Sequence, residues 1–312
     1  MLADPLPSWN EGAAKGRLLD FVKRVTKHGT VDFVPPSDRI AAFDNDGTLW
    51  PEQPNCIQFI FVVDRLKSLA QVNPALRRTE PFRTVLAGGL DGLATLGAEE
   101  IIEIIKTTQS GMTTEQFSAI VAEWLGTAKH PRFGCLYTDL AYQPMLELLD
   151  YLGANEFKTF IVSGTGADFI RVFAEETYRI PPEQVMGSTT ATEFRLGETG
   201  PVLMKIPQVE VLQDGTGKPV AIDRFIGRRP IFAFGNSDGD AEMLQWTAAG
   251  PGARFVGLLH HTDAKREWAY DRASKVGRLD KALDLAHAND WTIVDMKNDW
   301  KIVFLTENDS PR

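Results

Sequence analysis

Residues 39–48 read Arg39-Ile40-Ala41-Ala42-Phe43-Asp44-Asn45-Asp46-Gly47-Thr48. The first five form a short, nearly continuous apolar run, which suits a strand buried on both faces of a parallel sheet. It ends in two carboxylates at i and i+2, followed by a Gly-Thr turn. In an open parallel sheet, ligands gather at the carboxyl ends of the strands. Asp44 and Asp46 are therefore expected where chemistry is done, although taken alone the same four residues also read as an Asx-rich loop tip. Asp44 is suited to attack phosphorus as a nucleophile. Asp46 is suited to protonate a leaving alkoxide and later to deprotonate water. Thr48 is suited to hold the turn or to fix the second carboxylate.

A carboxylate that approaches a phosphate dianion meets repulsion of about 4 kcal/mol per pair of unit charges at ~4 Å and an effective dielectric near 20. That is roughly a thousandfold in rate for each charge. A divalent cation between the anions relieves it, and Mg²⁺ prefers hard oxygen ligands of this kind. The nucleophile is therefore expected to be a metal ligand as well.

Further β-rich runs follow at Lys158–Val162, Pro230–Phe234, Arg254–Leu259 and Trp291–Met296. Helical periodicity lies between them, at Gln143–Leu152 and Ala167–Tyr178. Strands alternating with helices predict a doubly wound, mostly parallel α/β sheet. The first two strands are separated by far more chain than a simple connection needs. Residues 51–138 carry helical patterns at Glu99–Lys106 and Thr114–Leu125 and read as an inserted, mainly helical domain. Residues 1–50 and 139–312 form the core, with a smaller Thr-, Gly- and Pro-rich insertion at about 188–218 that reads as a hairpin or extended loop.

The other strand ends carry the remaining candidates. Ser163-Gly164-Thr165-Gly166 precedes the helix at Ala167, where a hydroxyl and backbone N–H groups at a helix start suit an anion. Lys218, after the turn Asp214-Gly215-Thr216-Gly217, is placed to bridge the nucleophile and phosphate oxygens, with Lys205 as the rival. Gly235-Asn236-Ser237-Asp238-Gly239-Asp240 offers oxygen ligands for a cation. His260 and His261 follow the fourth strand at the same end.

The chain has 312 residues and a formal charge of -9, with a mean hydropathy of -0.17. That acidic balance argues against nucleic acid as a partner, which calls for clustered Lys and Arg. No apolar run approaches the ~20 residues that span a bilayer, and the start lacks the pattern of a secretory signal. No membrane partner and a cytoplasmic location are expected. Cys56 and Cys135, the two cysteines, are not in metal-type spacing.

The strand-end motifs together resemble the haloacid dehalogenase superfamily, and within it they are most similar to phosphoserine-phosphatase-type members. The resemblance implies that Asp44 is the nucleophile and Asp46 the general acid/base, with Mg²⁺ held by Asp44, the Asp46 backbone carbonyl and Asn236. Ser163 and Gly164 match the phosphate-binding second motif, Lys218 the third, and Asn236 with Asp240 the fourth. Many relatives carry aspartate where this chain has Asn236, so Asp238 stands as the other choice for the third ligand. True dehalogenases lack the acid at the position of Asp46 and need no metal. The implied activity is hydrolysis of a small phosphorylated metabolite through an aspartyl-phosphate. Phosphoryl transfer to an organic acceptor and ligand binding without turnover are the alternatives. Residues 51–138 occupy the place of the family's cap, where Arg78, Arg83 and Arg132 are possible contacts for a second charged group on the substrate.

Overall fold

A computed structural model describes residues 4–197 and 200–305. Seven strands form one sheet: β1 Ile40–Phe43, β2 Lys158–Gly166, β3 Val185–Gly197, β4 Gly200–Val211, β5 Phe232–Gly235, β6 Phe255–His260 and β7 Thr292–Asp295. Their order is β4-β3-β2-β1-β5-β6-β7. All neighbours are parallel except the β3–β4 hairpin. Among the described residues, twelve α-helices accompany them. α1 Ala13–Thr26 precedes β1, and α2 Ile57–Val72, α3 Phe82–Leu93, α4 Ala98–Gln109 and α5 Thr114–Leu125 fill the long insertion. α6 Gln143–Ala154 leads into β2, followed by the short α7 Ala167–Ile170 and α8 Ala174–Tyr178. α9 Gly217–Ile226, α10 Ala241–Ala248, α11 Lys281–Ala288 and α12 Met296–Asp299 complete the chain in that order. No helix among the described residues is long and apolar enough to cross a membrane.

The strand residues sort themselves by face. Phe43, Phe232 and Phe234 point to the side covered by Leu18 and Phe21 of α1 and by Met145 and Leu149 of α6. Ala42 and Ala233, one residue out of phase, meet Ile222 of α9 and Leu244 of α10 on the other side. In β1 and β5, period-two alternation puts the aromatic side chains on one face. The aromatic layer is continuous, with Phe43 and Phe232 centroids 5.5 Å apart and Phe21 and Phe255 5.7 Å apart. The small alanines leave room for helices on the opposite face.

Two local readings are corrected. The helix expected over Ala167–Tyr178 is broken into α7 and α8, and at the break Phe173 stacks on Trp50 with centroids 4.5 Å apart. β2 does not stop at Val162 but continues through Gly166. The second insertion is a long antiparallel hairpin whose pairing starts at Thr189, opposite Val211. It leans on the first insertion: the Lys205 backbone N–H donates to Met112 O and the Gly111 N–H donates to Lys205 O, each at 2.9 Å. The loop between α4 and α5 thus adds itself to the edge of β4. α5 starts at a reciprocal capping pair between Thr113 and Gln116, which fixes where that loop ends.

Candidate active site

β1 is the central strand, flanked by β2 and β5. The carboxyl ends of these three neighbours carry all the motif residues except Lys218, which comes from the first turn of α9. Backbone pairing continues one residue past β1, where the Asp44 N–H donates to Phe234 O at 3.0 Å. The chain then turns at Gly47, whose φ of +74° suits glycine. A Cβ there would also lie 2.2 Å from Asn236 Nδ2.

Lys218 Nζ sits 2.8 Å from Asp44 Oδ1 and 2.5 Å from Asp240 Oδ1, and all three side chains are buried. Burial opposes the lysine's charge, but Asp240 and Asp44 outweigh it and raise its pKa. Asp240 is fixed in turn, because its Oδ2 accepts the Asn236 and Ser237 N–H groups at 3.0 Å each. Burial first, then Asp240, pushes Asp44 up to about 8, while Lys218 acts against them. Lys205, the rival lysine, pairs with Asp168 and lies over the Phe117 ring, away from Asp44.

Asp46 is held by two donors. Trp50 Nε1 donates to its Oδ1 at 2.9 Å and Thr165 Oγ1 to its Oδ2 at 2.6 Å. Burial raises its pKa against both bonds, which favours a protonated acid poised to give up its proton. Thr48 does not fix this carboxylate; its hydroxyl donates to Asn236 Oδ1 at 3.0 Å. Ser163 is buried, and its Oγ accepts the Thr165 N–H at 3.1 Å. Gly164 O accepts Ser188 Oγ at 2.7 Å. The Gly166 N–H is taken by Gln58 Oε1 at 2.9 Å. α7 has four residues, so an extended helix start is not what this loop offers an anion.

Glu52 is the residue that sequence reasoning missed. It lies buried just past the first motif, with Oε1 accepting Asn236 Nδ2 at 2.6 Å and the Tyr270 hydroxyl at 2.8 Å. Burial holds its carboxyl well above the usual range, and Asp46 and Asp44 add to that. Glu52 and Thr48 together set the Asn236 amide, nitrogen toward Glu52 and oxygen toward Thr48. Asp238 is engaged elsewhere, its Oδ1 accepting the Asp280 and Ala282 N–H groups at 2.9 Å each.

Among the described residues, no group of three or more His, Cys, Asp and Glu side chains comes together as a metal cluster. The expected donor set for Mg²⁺ is of another kind: one carboxylate, one backbone carbonyl and one amide oxygen. It fits the site's electrostatics. Asp44, Asp46, Glu52 and Asp240 are buried carboxylates served by one buried ammonium, Lys218. A cation beside Asp44 would oppose the burial and the Asp240 charge that raise its pKa.

His261 is not a substrate contact. Its ring nitrogens face Gly47 O at 2.8 Å and Glu267 Oε2 at 3.0 Å, and its ring stacks on Tyr270, so it braces the turn from behind. His260 lies 3.6 Å from Asp271. Arg132 donates to the carbonyls of Ala264, Lys265 and Glu267. Arg83 pairs with Glu80 at the surface, and Arg78 is exposed. None of the three arginines reaches the catalytic cluster.

The profile of the haloacid dehalogenase-like hydrolases matches residues 41–245. No curated protein matches the chain in sequence. Among solved structures it is similar to a conserved functionally unknown protein from Anaerococcus prevotii DSM 20548, at 14% identity over 84% of this chain and 89% of that one, with a TM-score of 0.56. It is also similar to a protein with unknown function from Bordetella pertussis Tohama I, at 15% identity over 83% of this chain and 99% of that one, with a TM-score of 0.53. A phosphoserine phosphohydrolase-like protein from Francisella tularensis subsp. tularensis SCHU S4 is similar at 19% identity over 71% and 87% of the two chains, with a TM-score of 0.35. The first two likenesses concern the fold. The profile match runs from β1 into α10, covers more than half of the chain and takes in Asp44, Asp46, Ser163, Gly164, Lys218, Asn236 and Asp240, but not His260 and His261. The chain belongs to the haloacid dehalogenase-like hydrolase family.

Proposed function

We propose that this protein is a Mg²⁺-dependent phosphomonoester hydrolase that works through a phosphoryl-aspartate on Asp44. The observation that carries the reading is Lys218 held between Asp44 and Asp240 in a buried site beside a second, separately held carboxyl, Asp46. An Asp44 oxygen forms a bond to phosphorus while the bond from phosphorus to the ester oxygen breaks. Asp46 gives its proton to that departing oxygen, so an alcohol leaves. Asp46, now a carboxylate, takes a proton from water, whose oxygen bonds to phosphorus as the bond to Asp44 breaks. Inorganic phosphate leaves and both side chains are restored. Lys218 balances charge on Asp44 and the phosphoryl oxygens throughout, and Ser163 with Gly164 supplies donors for those oxygens. Mg²⁺, held by Asp44, the Asp46 carbonyl and the Asn236 amide oxygen, would supply positive charge between nucleophile and phosphate.

The acid at position 46 favours phosphorus over carbon–halogen chemistry, because a departing alkoxide needs a proton and a halide does not. The test is release of inorganic phosphate from a panel of phosphomonoesters, with Mg²⁺ and with EDTA. Release is expected with the metal only. Asp44→Asn should lower turnover by roughly a thousandfold or more with unchanged circular dichroism; appreciable residual release would rule out the covalent route.

A further inference from the structure

A cavity of about 260 Å³ lies against the second motif, between the two insertions. Gly164 and Gly166 form its floor, α2 and α4 one wall, and the β3–β4 hairpin with the chain after it the other. Phe59 and Val62 of α2, Ile101 and Ile105 of α4, and Val209 and Leu212 make it apolar, and no charged side chain lines it. Thr165, between the two floor glycines, holds Asp46. The cavity therefore adjoins the second motif and lies one residue along the chain from the Asp46 contact.

Its polar wall residues Gln109 and Thr190 are 5% and 7% exposed, so the accessible lining is mainly apolar carbon.

From these features we infer that the cavity takes the organic part of the substrate, and from its lining the class of that substrate: a phosphomonoester whose organic part is uncharged and largely apolar. The inference rests on the phosphomonoester reading given above. At ~30 Å³ for each water-sized atom, the cavity takes an organic part on the order of nine non-hydrogen atoms. An amino-acid phosphate is disfavoured, because its ammonium and carboxylate would enter a wall that offers no opposite charge.

Calorimetric titration of the full chain in Mg²⁺ tests this without turnover, using benzylphosphonate and 2-amino-3-phosphonopropanoate. The aryl compound should bind at least tenfold tighter than the amino acid. Leu212, 62% exposed, tolerates replacement, and Leu212→Arg should narrow the gap between aryl and amino-acid ligands severalfold. Equal or tighter binding of the amino-acid phosphonate overturns the inference, as does failure of both to bind at millimolar concentration. Phosphate release is read separately. Aryl preference without any release would strike the proposed reaction and leave the pocket's selectivity standing, and release with the preference reversed would do the opposite.

Discussion

The Asn236 amide is oriented by what lies on each side of it, a hydroxyl at its oxygen and the Glu52 carboxylate at its nitrogen. An aspartate there would put two buried carboxyl groups against each other at the present 2.6 Å spacing. Asn236→Asp alone should therefore cost about 1–3 kcal/mol of unfolding free energy. Adding Glu52→Gln reverses the polarity of the hydrogen bond and should recover most of that loss, a coupling that a double-mutant cycle in urea measures. Additive losses would show that the two side chains do not depend on each other. Asp44 and Asp46 were legible in the sequence because a paired-acid motif follows an apolar run. Glu52 was not, because one acid in Pro51-Glu52-Gln53-Pro54 has no periodicity to mark it and its partner lies nearly two hundred residues on.

At the scale of elements, one tight backbone joint in the site is where β3 crosses the end of β2. A Cβ on Gly187 would lie 2.4 Å from Thr165 O and 2.6 Å from Ala167 N, both backbone atoms. Gly187→Ala should push the strands apart at a cost of about 1–3 kcal/mol. It should also lower kcat more than it raises KM, since Thr165 orients Asp46 and not the ground-state substrate. A stability loss with kcat unchanged would show that the Thr165 contact is dispensable. The strands themselves were readable as short buried runs between turn residues. The length of β2 was not, because Ser163–Gly166 is written in turn residues and is held extended by pairing with β3. The union of hairpin and helices was equally hidden, since it is made through backbone groups at Gly111, Met112 and Lys205, which leave no trace in side-chain pattern.

For the whole molecule, the surplus of buried carboxylate ties folding to pH. Asp44 goes from its usual 3.8 to about 8 in the metal-free fold. The folded state then holds a proton that the unfolded chain has released, so this contribution is full below about 4 and is lost as pH rises toward about 8. Metal-free protein should accordingly lose more stability between pH 5 and 8 than its Asp44→Asn variant, as followed by thermal unfolding at each pH. Saturating Mg²⁺ should flatten the wild-type slope. Identical slopes for the two proteins would mean that Asp44 titrates near its ordinary value. One contact also gives the molecule an optical handle. Trp50 is the last residue before the helical insertion, its indole N–H rests on Asp46, and its ring stacks on Phe173. Light emitted by that one ring, isolated by subtracting the Trp50→Phe spectrum, would register the charge on the proton donor and the posture of the insertion in a single signal, with no dye attached.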